Sequence, residues 1–259
     1  MTAEHSRRIW PGGAILALIA TWVIASRAGY TNPLAVPDPM SFLRAAGTYA
    51  STQESYTHVG VTLFRAVGGL LISIAIGVPL GLLAGRLEIL HQVLRFPVDF
   101  FRSIPSSALF FLFILAFGIG ETAKIMVVVY GCALILFVSA TYGSRPTPDR
   151  TFRLAIMKTL GASRTQCFWW VTLPDALPQI ASGVRTCISL AFVLVIVTEM
   201  FLGAQRGIGK QLYDYYLAFR IPEMWVCLVV LGIMGYAANL VGVGLERRAA
   251  RWRSSRAKV

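Results

Sequence analysis

Long apolar runs separated by shorter polar segments dominate this chain, and their lengths predict helices that cross a membrane. The runs cover roughly Ile9–Ser26, Val59–Ala84, Ile104–Gly118, Ile125–Gly143, Ile180–Leu202 and Trp225–Leu245. A helix needs about 20 apolar residues to span a bilayer, so the third run is short unless it begins nearer Phe96. The pattern predicts an all-α polytopic membrane protein with six transmembrane helices, forming one transmembrane domain over residues 1–259. Arg7 and Arg8 precede the first run, which is longer than a signal-peptide core and therefore reads as an uncleaved helix. Pro79, Pro97 and Pro105 predict kinks that neighbouring helices absorb. Gly77, Gly81 and Gly85 recur every four residues and predict a smooth helix face suited to close helix packing.

Between the runs, residues 30–57 carry Pro37-Asp38-Pro39 and the polar stretch Ser51-Thr52-Gln53-Glu54, an external loop with a short amphipathic helix near Ser41–Ala50. Residues 246–259 form a basic tail.

Composition agrees with a membrane protein: 56% of residues are hydrophobic and 14% charged, against roughly 25% charged in a soluble chain. The net charge of +12 would suit nucleic acid if it lay on one soluble surface. Its distribution argues otherwise. With the N-terminus inside, sixteen Lys and Arg fall on cytoplasmic segments and seven on outer ones. The positive-inside rule then puts both termini in the cytoplasm, and no nucleic-acid partner is expected. Cys132, Cys187 and Cys227 sit in apolar runs and Cys167 in a basic stretch, with no CxxC pair; they read as buried thiols. The three histidines are scattered, so no metal site is predicted.

The connection 144–179 is neither span nor linker, because linkers are polar and this one holds Phe152, Leu154, Ile156, Met157, Leu160, Trp169 and Trp170. Thr151–Leu160 predicts a helix closed by Gly161 in the left-handed cap conformation. Ser163-Arg164-Thr165-Gln166 matches a capping box, so a second helix should begin there and end before Pro174. Two short helices, apolar on more than one face, predict a docking element for a soluble partner, with a re-entrant or membrane-surface hairpin as the alternative.

Lys158-Thr159-Leu160-Gly161-Ala162-Ser163, with Leu173-Pro174-Asp175-Ala176-Leu177-Pro178-Gln179-Ile180 and Gly183-Val184-Arg185, resembles the "EAA" loop of binding-protein-dependent ABC importer permeases. Thr62-Leu63-Phe64-Arg65, Gly77-Val78-Pro79-Leu80-Gly81, Phe117-Gly118-Ile119-Gly120, Thr198-Glu199-Met200 and Gly207-Ile208-Gly209 resemble the nitrate/sulfonate/taurine type within that group. The likeness covers about Pro37 to Leu245.

It implies a type I importer permease in a bacterial cytoplasmic (inner) membrane, working with two ABC ATPase subunits, a second permease copy and an extracytoplasmic solute-binding protein. The cargo would be a small solute, such as a sulfonate, taurine, nitrate or bicarbonate. ATP and Mg would be bound by the ATPase, with no cofactor in this chain. The resemblance assigns ATPase coupling to Arg153, Ile156, Lys158, Leu160, Gly161, Ala162 and Ser163. One departure stands out: aligned on Gly161, the leading glutamate of the pattern falls on Ala155, and its two alanines on Ile156 and Met157.

No G-x-x-x-x-G-K-[ST] is present, since Gly118–Lys124 has the wrong spacing, and no hydrolase or zincin motif appears. The chain is therefore expected not to be an enzyme. Arg65 and Glu199, ionisable residues in apolar surroundings, are the pathway candidates, while Arg185 reads as an anchor of the fifth helix. The rival reading is an ion-gradient-driven secondary carrier, for which Glu199 is the sole membrane carboxylate and no inverted repeat is evident.

Overall fold

The computed structural model describes residues 3–30, 32, 34–201 and 203–254, whose regular elements are all helices, with no strand among them. The expectations that fall on Leu202 and on Arg256 and Lys258 lie outside the described residues. In chain order the elements are α1 (Ala3–Arg27), α2 (Pro39–Ser51), α3 (Gln53–Arg86), α4 (Glu88–Ser103), α5 (Phe110–Phe117) and α6 (Glu121–Ser144). Then come α7 (Pro148–Thr159), α8 (Arg164–Cys167), a π-turn (Phe168–Thr172), α9 (Leu173–Phe201), α10 (Ile208–Leu217) and α11 (Ile221–Ser254).

α3, α6 and α9 form the centre of the bundle, with α11 packed on α9 and α1 touching chiefly α2. Val127, Val128, Cys132, Leu136, Cys187, Ala191, Leu194 and Val195 fill the core, and the two core thiols each lie against the other's backbone carbonyl. The glycine face of α3 meets α6 at backbone distance. A Cβ on Gly77, Gly81 or Gly85 would stand 2.3–2.5 Å from the carbonyls of Ala133, Phe137 and Thr141. Thr141 Oγ1 and Ser144 Oγ then donate across the seam to the carbonyls of Gly81 and Leu82. Such close contact replaces the hydrophobic driving force that a bilayer withholds from helix pairing.

Among the described residues, four stretches are long and apolar enough to cross a membrane: Gln53–Arg86, Glu121–Ser144, Arg164–Phe201 and Ile221–Ala249. The expected third span is not one helix. Of Ile104–Gly118 only the eight-residue α5 is helical, after the turn Ile104–Leu109, and the earlier start near Phe96 falls inside α4. Residues 86–103, read from sequence as a cytoplasmic connection, are thus mostly α4, and Arg95 and Arg102 belong to that helix. Its polar positions Glu88, His91, Arg95, Asp99 and Arg102 recur at three to four residues and form one face.

Other boundaries differ for local reasons. α2 begins at Pro39 because Asp38 caps it, its carboxylate accepting from the amides of Met40 and Ser41. α7 starts three residues earlier than expected, at Pro148, with Thr147 as the capping residue. The chain does not break before Pro174. The π-turn lets the Leu173 amide reach the Phe168 carbonyl, and α8 runs on into α9 with Pro174 in its first turn. Pro178 likewise lies inside α9. Residues 246–254 of the expected tail continue α11.

Candidate functional site: a capped hairpin and a buried ion pair

The hairpin between α6 and α9 has the local geometry its residues dictate. Gly161 has φ +80°, the left-handed conformation that a Cβ disfavours. Around it the Ala162 amide bonds the Met157 carbonyl at 3.0 Å and the Gly161 amide bonds that of Lys158, closing α7. Two residues on, Ser163 Oγ accepts from the Gln166 amide and Gln166 Oε1 accepts from the Ser163 amide at 2.7 Å. That reciprocal cap starts α8.

The hairpin is braced from beneath. Arg153 donates to both oxygens of Asp175, at 3.1 and 2.6 Å, and to Asp149 at 2.9 Å. Hydrogen bonding to Asp175 pushes the Arg153 guanidinium further toward its charged form. Arg150 is buried and donates to the carbonyls of Gly143 and Arg145 as well as to Asp175. These bonds tie α7 to the end of α6 and the start of α9. Arg153 is therefore committed inside the chain, where it holds α7 in place. The outer face of α7 is different: Phe152, Ile156 and Leu160, spaced by four, are exposed, with Ala155 and Lys158 beside them.

At the opposite end of α6 a polar cluster lies buried among the helices. Arg65 and Glu199 have 2% and 0% of their side chains exposed, and Arg65 Nη1 donates to Glu199 Oε1 at 2.6 Å. Thr62 Oγ1 and the Gly209 amide also donate to the Glu199 carboxylate, so a buried charge meets donors on several sides. The rest of the Arg65 fork grips Glu121 through Nε at 2.5 Å and Nη2 at 2.6 Å, while Nη1 also reaches the Arg206 carbonyl. Lys124 adds a bond to Glu121 at 3.2 Å. The Gly207 amide donates to His58 Nδ1 at 2.8 Å, and the Ile208 amide to Thr62. α3, α6, α9 and the turn into α10 are thereby joined at one point. Gly207, at φ +134°, and Gly209 admit the carboxylate because a Cβ there would stand 2.3 and 2.8 Å from Glu199 atoms.

Residues 77–254 match the family described as the binding-protein-dependent transport system inner membrane component. The chain belongs to that family. It is the transmembrane, non-catalytic permease component of an ABC importer, with ATP hydrolysis assigned to a separate subunit. It is 27% identical to the taurine transport system permease protein TauC of Escherichia coli K12, over 96% of this chain and 95% of the relative. It is 30% identical to the putative aliphatic sulfonates transport permease protein SsuC of the same organism, over 95% and 92% of the two chains. The fold resembles an inward-facing structure of the MetNI methionine ABC transporter, with a TM-score of 0.65 and 24% identity over 74% of this chain and 94% of that one.

Within this permease the sequence-assigned residues fall into two groups at opposite ends of α6. Ile156, Lys158, Leu160, Gly161, Ala162 and Ser163 lie together on the hairpin, with Arg153 beneath them. Arg65 and Glu199, read separately from sequence, form a direct pair. Sequence reading passed over His58, Thr62 and Glu121. The first two share the helical face of Arg65, at i, i+4 and i+7, and that polar stripe in an apolar span was the available signal. Arg185, read as an anchor, donates to Asn239 and Glu246 and pins α9 to α11.

Proposed function

We propose that this permease imports a small oxyanion or sulfonate, a class that includes taurine, aliphatic sulfonates, nitrate and bicarbonate. Support comes from relatives whose names specify taurine, aliphatic sulfonates and nitrate. The working assembly contains two permease copies, two ABC ATPase subunits that bind ATP and Mg, and an extracytoplasmic solute-binding protein. The chain lies in a bacterial inner membrane with both termini and the α7–α8 hairpin in the cytoplasm and residues 30–57 outside.

Coupling runs through the hairpin. The observation that carries this reading is the exposed Phe152–Ile156–Leu160 face on a helix fixed at both ends, by the Gly161 cap and by the arginine brace. A soluble protein that buries this face moves α7, and α7 moves the ends of α6 and α9 with it. At the other end, the Arg65–Glu199–Glu121 cluster latches the turn before α10 to α3 and α6, and closes the external side of the pathway. Reconstitution of the permease with its cognate ATPase and binding protein tests the assignment. ATP-dependent uptake of labelled taurine, methanesulfonate, nitrate or bicarbonate is expected, and accumulation driven by an ion gradient without ATP would refute it.

A further inference from the structure

Beside α6 lies a polar cleft that neither the hairpin nor the buried cluster explains. It encloses about 240 Å³ between α4 and the hairpin half of α6, and its charged lining is Arg95, Arg102, Arg145 and Asp99, with His91 and Tyr142 beside them. Two contacts place the end of α4 and the turn after it against the middle of α6. The Tyr130 hydroxyl donates to the Phe101 carbonyl at 2.5 Å, and Ser106 sits against Gly131. Tyr130 is nine residues into α6, about 14 Å along a helix of 1.5 Å rise, close to the middle of a hydrocarbon core about 30 Å thick. The cleft itself is lined on α6 by Phe137, Val138, Thr141, Tyr142 and Arg145, so it occupies the hairpin half of the bundle, with Arg102 at its deep end and Arg145 at its mouth.

The two faces of α4 assign its surroundings. Ile89, Val93, Phe96 and Phe100 are exposed on the apolar face, suited to lipid or to another apolar helix. Arg95 and Arg102, two turns apart, stand on the opposite face. A guanidinium at membrane depth requires water, an anion or a carboxylate. Asp99 lies 3.4 Å from Arg102, and among the described residues no carboxylate is within 4 Å of Arg95 or Arg145. The cleft thus holds three guanidiniums against one carboxylate.

We propose that the polar face of α4 is an oxyanion-binding site on the translocation path, in which Arg102 receives the anion at the deep end of the cleft and Arg95 and Arg145 lead it toward the hairpin end. This deepens the small-anion reading above and rests on it. Guanidinium groups suit planar and tetrahedral oxyanions through paired N–H donors. The lone carboxylate weakens the hold, as a conducting site needs.

The test uses the reconstituted complex of permease, ATPase and binding protein, with uptake of labelled methanesulfonate and nitrate measured beside ATP hydrolysis stimulated by the loaded binding protein. If wild type imports only neutral or cationic solutes, the substrate reading fails by itself. Given anion uptake, R95Q/R102Q is expected to lower it at least about tenfold while stimulated hydrolysis persists. R95K/R102K should restore most of the uptake. Asp99→Asn should move in the opposite direction, tightening equilibrium binding of labelled methanesulfonate to the detergent-purified permease–ATPase complex. Wild-type uptake by R95Q/R102Q would overturn the proposal. So would a loss of uptake and hydrolysis together that lysine does not repair, which marks a merely structural role, or an Asp99→Asn variant that binds less.

Discussion

Arg65 and Glu199, separated by 134 residues, meet at 2.6 Å in the interior of the bundle. Such a pair is held by completeness: Glu199 takes bonds from Arg65, Thr62 and the Gly209 amide, and the rest of Arg65 is spent on Glu121 and the Arg206 carbonyl. Removing one partner leaves buried groups unsatisfied. Glu199→Ala is expected to cost about 3–5 kcal/mol, read as a fall in the melting temperature of the purified permease in detergent. Replacing both members by Met should recover part of the loss, because no charge is then left in the buried position, and Glu121, half-exposed, keeps Lys124. A double variant as unstable as Glu199→Ala would show that the ion pair itself carries the stability.

Gly207 tests the latch from the backbone side. Its φ of +134° and the 2.3 Å approach of Glu199 to a would-be Cβ leave no room for a methyl group. Gly207→Ala should displace the turn into α10 and lower the melting temperature. Gly232→Ala, on α11 with nothing within 4 Å of its Cβ, is the control. It should be neutral or stabilise by up to about 1 kcal/mol, the helix-propensity difference between the two residues. Equal effects at the two sites would remove the steric argument.

What was legible in the sequence divides along range. Gly161 and the Ser163–Gln166 box act through bonds within a few residues, so the turn between α7 and α8 could be read to the residue, though not the far ends of the two helices. The latch could not. Arg65 and Glu199 each stood out as a charge in apolar surroundings, but their pairing depends on how α3 packs against α6 and α9. α4 was missed for another reason: its charges were treated as a cytoplasmic connection between two spans, although their three-to-four spacing is that of one helix face. Pro174 was read as a stop, which holds for an α-turn and fails for the wider π-turn that precedes it.

Orientation can be checked with little background, because all four native cysteines are buried. A membrane-impermeant maleimide added to intact cells should label Ser51→Cys, at the exposed end of α2, and should not label Arg164→Cys until the membrane is opened. Labelling of Arg164→Cys from outside would invert the topology and put the hairpin out of reach of a cytoplasmic ATPase.

The hairpin prediction turns on what Ala155 lacks. With no carboxylate at that position, and with Arg153 bonded to Asp175 and Asp149, the outer face of α7 presents apolar surface and the Lys158 side chain. Ile156→Ala and Leu160→Ala should therefore weaken co-purification of the ATPase more than Lys158→Ala does. Added salt should matter little, since screening acts on exposed charges. The shape of the hairpin must also count. Ser163→Ala removes a capping acceptor worth about 1 kcal/mol and should give a mild coupling defect. Gly161→Val forces a β-branched residue into positive φ and should give a severe one, with insertion of the bundle intact. The measurement is ATPase retained per permease at low and high salt, alongside transport and a membrane-insertion control. Full ATPase binding and transport by Gly161→Val would mean that the hairpin does not couple the two proteins. Strong salt sensitivity with an inert Ile156→Ala would transfer the contact from the apolar face to Lys158.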